Sequence, residues 1–256
     1  FAFVLTVAVT IGAACGRGQT FFQNGDHVVI IGNGLADRMQ HHGWLETYLQ
    51  AELPGLELVI RNQGFTGDRI DHRPRSEGFM TVDEYLALSQ ADVIFAMFGY
   101  NESYDGEPVQ FGEALTEWID RTSAQNYSGK GAPRIVLFSP IAHENLNDSN
   151  LPDGRDNNAR LAAYTEAMEV VAGEKNVRYY NLFGPSQKLY ADALSPLTIN
   201  GVHLNEDGNR QVAEIIVESL LGRQPAADMA TLESVRAAVL DKNWHWFNRY
   251  RATDGN

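Results

Sequence analysis

Cysteine is almost missing from this 256-residue chain: there is one, Cys15. A single cysteine excludes an internal disulfide and any cysteine-based metal site. Basic residues are also scarce, with 20 Lys and Arg against 33 Asp and Glu, for a formal net charge of −13. Nucleic-acid binding needs clustered Lys and Arg to displace counterions, so this balance argues against a nucleic-acid partner. The acidity is read as a solubility feature. There is no internal repeat and no low-complexity segment. The apolar run from Phe1 to Ala14 falls short of the ~20 residues that span a bilayer.

That run is closed by small residues and has no initiator Met before it. It reads as the apolar part of a signal peptide whose charged start is missing, which implies a secreted or periplasmic protein. Cys15 after Ala13 and Ala14 adds a second reading, a lipidated cysteine that anchors the protein, although Gly12 stands where a leucine is usual. Residues 1–20 are set apart from the fold on either reading.

From His27 onward short apolar runs alternate with longer amphipathic stretches. His27 to Ile31, Leu56 to Ile60, Asp92 to Met97, Arg134 to Phe138 and Val177 to Leu182 read as five buried strands, rich in β-branched and aromatic residues. Helices are expected over Asp37 to Leu53, Val82 to Ser89, Val109 to Gln125, Asn157 to Ala172 and Glu206 to Leu221. Strict alternation implies a parallel sheet covered on both faces. In such sheets ligands gather where strand ends lead into helices. Four loops of this kind are present: 32–34, 64–68, 99–103 and 139–145. One domain is expected over residues 25–222. Residues 223–256 form a C-terminal extension, with a helix from Asp228 to Leu240 and a dense aromatic stretch from Asn243 to Tyr250. Those aromatics either pack back on the domain or mark an interface with something further, such as a neighbouring domain or protein.

Enzymatic ester hydrolysis by a serine needs a nucleophile, a base in contact with it, and donors aimed at the developing oxyanion. Four short blocks lie where these could come from: Gly32-Asn33-Gly34-Leu35, Asn62-Gln63-Gly64-Phe65-Thr66-Gly67-Asp68, Gly99-Tyr100-Asn101-Glu102 and Asn200-Gly201-Val202-His203. Each alone is weak. Gly32 and Gly34 would serve equally to give positive φ in a tight turn, Asn101 to cap a helix, and His203 as a satisfied surface histidine. In order, each at a strand end or before the last domain helix, the blocks resemble the SGNH/GDSL hydrolase (esterase/lipase) superfamily from about Gly25 to Leu221.

The resemblance implies an α/β fold, a three-layer α/β/α sandwich of flavodoxin-like type with a parallel sheet of about five strands. It implies hydrolysis of acyl or acetyl esters, including those on carbohydrate, with a small-molecule or carbohydrate ester as partner and no cofactor. Carried over residue by residue, it makes His203 the base. The backbone N–H groups of Gly34 and Gly64 and the Asn101 amide become the oxyanion hole. Asn33, Glu102 and His143 are expected substrate contacts, with a loop-capping role as the other reading of His143. Two positions depart from the pattern. The nucleophile position holds Gly34, and the position of the acid behind the histidine holds Asn200. In a serine protease an acid-to-amide change of this kind costs about 10⁴ in kcat.

Two routes around the gap are open. A water in the space left by the serine side chain could be activated by His203. Alternatively Thr66, Ser103, Glu102 or Asp68, which lie in the right loops, could supply the missing group. The rival to an enzyme is a non-catalytic carbohydrate- or anion-binding module of a larger secreted protein, and a third reading is a structural domain that docks through its aromatics. Asp68, Asp71 and His72 lack a second histidine at ligand spacing, so no metal is expected there.

Overall fold

The computed structural model of the chain describes residues 21–74 and 78–251. The signal-peptide and Cys15 expectations fall on residues 1–20, outside the described residues.

Five strands form one parallel sheet: β1 (His27–Gly32), β2 (Val59–Asn62), β3 (Val93–Met97), β4 (Arg134–Phe138) and β5 (Arg178–Tyr180), in the order β2-β1-β3-β4-β5. Alternate residues of the three central strands go to opposite faces. Val28, Ile30, Phe95, Val136 and Phe138 enter one core, while Val29, Ile31, Ile94, Ala96 and Leu137 enter the other. A strand buried on both sides carries no polar alternation, which is why these segments read as continuous apolar runs.

Eight α-helices are present among the described residues. α1 (Gly34–His42), α2 (Trp44–Glu52) and α7 (Glu206–Leu221) supply residues to the first core. α3 (Val82–Leu88), α4 (Pro108–Ser123) and α5 (Arg155–Lys175) supply the second. α6 (Phe183–Asp192) follows β5, and α8 (Met229–Trp246) follows α7. The expected α/β/α sandwich is therefore what the chain forms. Helix starts follow local chemistry: Thr81 and Glu84 make a reciprocal capping box on α3, and Asn205 and Asp228 cap α7 and α8.

One expected element is corrected. The single helix over Asp37 to Leu53 is two, broken at Gly43, whose φ of +71° ends α1 and whose N–H donates to the Met39 carbonyl at 2.8 Å. This is the left-handed glycine terminus common at helix ends.

α8 lies across α1 and α2 and is fixed by polar contacts. Lys242 pairs with Glu46 at 2.6 Å, Asn243 donates to the Gln40 carbonyl, and Trp246 Nε1 donates to the Asn62 carbonyl at 2.7 Å. Trp246 thus packs back on the domain, while Trp244 stays 63% exposed.

The winding of the sheet reverses at β1, since the chain goes from it to β2 on one side and then crosses back over it to β3 on the other. A crevice opens at the carboxyl ends of strands at such a point. Gly32 lets β1 and β3 close up there. Its φ is +145°, and a Cβ would meet the Met97 carbonyl oxygen at 2.3 Å.

Candidate active site

A cavity of about 200 Å³ opens at this edge of the sheet. Four strand-end loops line it, through Asn33 and Gly34 after β1, Thr66 after β2, Asn101 after β3 and Pro140 after β4, and His203 reaches it from the turn before α7. Segments far apart in sequence therefore meet around one space.

His203 is held by a tight turn. The Asn200 side-chain oxygen accepts the backbone N–H groups of Val202 and His203 at 3.2 and 2.9 Å, and lies 3.1 Å from His203 Nδ1. Two backbone donors fix which end of the amide is the oxygen, so Nδ1 carries the proton. The lone pair is left on Nε2, 3.7 Å from where a Cβ on Gly34 would stand. Burial, then the charge of Arg38, holds the imidazole below the ordinary histidine pKa. His203 is thus a neutral base at neutral pH, oriented by an amide that cannot compensate an imidazolium.

Gly34 is not a conformational necessity. It starts α1 without positive φ, and a Cβ there would touch only His203, at ordinary van der Waals distance. Gly64 is the opposite case. Its Cβ would lie 2.5 Å from the Asp37 backbone nitrogen, so glycine is what allows the β2 loop to lie against α1.

The expected oxyanion hole is only partly assembled. Gly64 is buried away from the cavity lining, and its N–H donates to the Asn62 side-chain oxygen at 2.8 Å. Asn101 does line the cavity, but both hydrogens of its amide go to backbone carbonyls, of Thr66 at 2.8 Å and Asp68 at 2.9 Å. In this arrangement Asn101 pins the 66–68 loop. That leaves the N–H of Gly34, in the first turn of α1, where backbone donors have no intrahelical partner.

Two expected substrate contacts are placed elsewhere. Glu102 is buried outside the cavity lining and clamps two loops, accepting the N–H of Gly99 at 2.8 Å and of Ile70 at 2.7 Å. His143 is wedged behind the His203 turn, where a Cβ on Gly154 or Gly201 would collide with its ring. It borders a separate groove. Asn33 does line the cavity, is 2% exposed, and has a buried Nδ2 without a hydrogen-bond partner.

The substitute groups are also engaged. Ser103 is buried and donates to the Tyr100 carbonyl at 2.7 Å. Asp68 pairs with Arg73. Thr66 lines the cavity, with its hydroxyl on the Asp37 carboxylate. Among the described residues no group of three or more His, Cys, Asp or Glu is placed to hold a metal.

Sequence reasoning passed over two residues. Glu144 is buried, and its carboxylate accepts the N–H groups of Leu197 and Thr198, holding the loop that leads to Asn200. Arg38 lines the cavity. It follows Gly34 by four residues, and that spacing puts the two on one helix face, a signal the sequence did carry.

A parallel α/β sheet with a histidine poised over a helix start at its carboxyl edge is the architecture of an SGNH-type ester hydrolase. Residues 25–211 match the family model of the GDSL-like Lipase/Acylhydrolase family, and the chain belongs to that family. Solved structures share its fold. A gut microbial diltiazem-metabolizing enzyme superposes with a TM-score of 0.60 at 17% identity, over 78% of this chain and 48% of its own, so this chain spans about half the length of that protein. An acetylxylan esterase from Geobacillus stearothermophilus gives a TM-score of 0.58 at 15% identity, over 81% of this chain and 99% of its own. A carbohydrate acetylesterase from Sinorhizobium meliloti gives 0.55 at 13% identity, over 77% and 99%. A search of curated proteins finds no match to the chain.

Proposed function

We propose that the cavity takes the acyl group of an ester, an acyl or acetyl group borne by carbohydrate, and that His203 drives its hydrolysis through a water beside Gly34. The observation that carries this reading is the free Nε2 lone pair facing an open space where a nucleophile would stand. The water gives a proton to Nε2 as its oxygen bonds to the ester carbonyl carbon. The carbonyl oxygen gathers negative charge near the Gly34 N–H, where the helix start favours it. The C–O bond to the alcohol then breaks, and the alcohol leaves with the proton from Nε2. No acyl-enzyme forms. Asn200 gives the transient imidazolium no counter-charge, so turnover is slow.

The engagement of Asn101 and Gly64 favours a second reading, a non-catalytic module that holds a carbohydrate or an anion in the same cavity. Hydrolysis of p-nitrophenyl acetate separates them. The first reading expects a rate above background that disappears in His203→Ala, with no burst and no labelling by fluorophosphonates. Equal rates for wild type and His203→Ala would leave the binding module.

A further inference from the structure

Arg38 is the unexplained charge of this site. The acid-rich protein places no Asp or Glu in the cavity lining, yet places one arginine there. Among the described residues the Arg38 side chain has no ion pair or hydrogen bond, and its Nε is buried without a partner. Nearby carboxylates are used elsewhere. Asp37 accepts from Thr66 and Gln40, and Glu206 pairs with Arg236 at 2.8 Å. Arg38 thus stands half-buried at the cavity wall with a charge that no carboxylate among the described residues neutralises. Its charge is felt at His203. The same cavity is lined by Asn33, whose buried Nδ2 lacks an acceptor. Buried donors are normally satisfied, so both residues point to an absent acceptor.

We propose that Arg38 makes the cavity select a ligand with a free carboxylate, namely the acyl group of a half-ester of a short dicarboxylic acid, over a neutral acetyl group. This rests on the cavity being the acyl site. Arg38 sits about 6 Å along α1 from Gly34, and helical side chains lean toward the N-terminus. A carbonyl beside Gly34 and a carboxylate two or three carbons away would then meet both the helix start and the guanidinium. An arginine–carboxylate contact gives charge-assisted hydrogen bonds that a neutral group cannot replace.

The test uses succinamate and its neutral isostere succinamide, neither of which is an ester. Each is titrated into the whole chain, with affinity read by calorimetry and occupancy by the His203 ring signals in NMR. Succinamate is expected to bind about tenfold tighter at low salt, with the advantage shrinking as salt rises. The preference should vanish in Arg38→Gln and survive in part in Arg38→Lys. Equal affinities in the wild type, or a preference that persists in Arg38→Gln, would overturn the inference. Equal binding that still moves the His203 signals leaves the acyl-site reading standing, whereas no response to either compound overturns both.

Discussion

Restoring the missing pair, Gly34→Ser with Asn200→Asp, asks most of this site. The backbone accepts the serine, because a Cβ at residue 34 stands 3.7 Å from His203 Nε2 and meets nothing else. One further bond brings the hydroxyl within the ~2.6–3.2 Å reach that activates a nucleophile. An aspartate at 200 inherits three donors already in place, from Val202, His203 and the imidazole. In a serine protease, removing the triad costs about 10⁶ in kcat. Each missing oxyanion donor costs about 10²–10³, and two expected donors, on Gly64 and Asn101, are committed elsewhere. The double variant should therefore gain up to about 10²-fold over wild type on p-nitrophenyl acetate. It should also show a pre-steady-state burst and covalent labelling by a fluorophosphonate. Gly34→Ala is the control, since it fills the space with a methyl group and should fold yet lose the His203-dependent rate. A double variant with wild-type Tm that is neither labelled nor faster would refute the reasoning.

The other expectations are simpler. His203 should titrate below the ordinary histidine value in NMR, and Asn200→Asp should raise that pKa by placing a carboxylate beside Nδ1. A histidine whose folded pKa lies below its unfolded one supports stability above the unfolded value of about 6.5 and loses that support as pH falls through the folded value. Burial depresses His42 and His143 in the same direction. Their contribution to the urea midpoint should therefore fall between pH 7.5 and 5.5, and the His203 share of that fall should shrink in Asn200→Asp. Gly64→Ala forces a methyl group into the α1 backbone and should cost about 3 kcal/mol or more in urea unfolding; a loss near zero would mean the loop is not seated as described. Lys242→Met strips the partner from Glu46, whose carboxyl burial already pushes upward. A loss of about 3 kcal/mol is expected, largely recovered by adding Glu46→Leu.

Much of the fold was legible because the sheet is buried on both faces. A strand such as Val93–Met97 has no polar alternation to misread. β5 was harder, because its three residues are exposed or half-buried and its apolar character is weak. α6 escaped notice for a similar reason: Gly184 and Pro185 sit in its first turn, and only Ser186 is buried within it. The break at Gly43 was available in principle, since His41-His42-Gly43 has the basic last turn and glycine of a helix end. A strong apolar pattern across Trp44 and Leu45 hid it.

The site divides along a different line. Which segments converge followed from sequence order and strand ends, and His203 does arrive beside Gly34. Which donors stay free did not follow, because Asn101 and Gly64 are engaged by groups that only tertiary packing brings near. The glycines make the distinction concrete. Gly32 and Gly64 are sterically required, since a Cβ at either would strike backbone. Gly34 meets no such obstacle, so geometry does not exclude a serine there. Packing therefore does not account for the absent hydroxyl, and on the proposed reading the unpaired Arg38 one turn further along α1 is the best guide to the ligand.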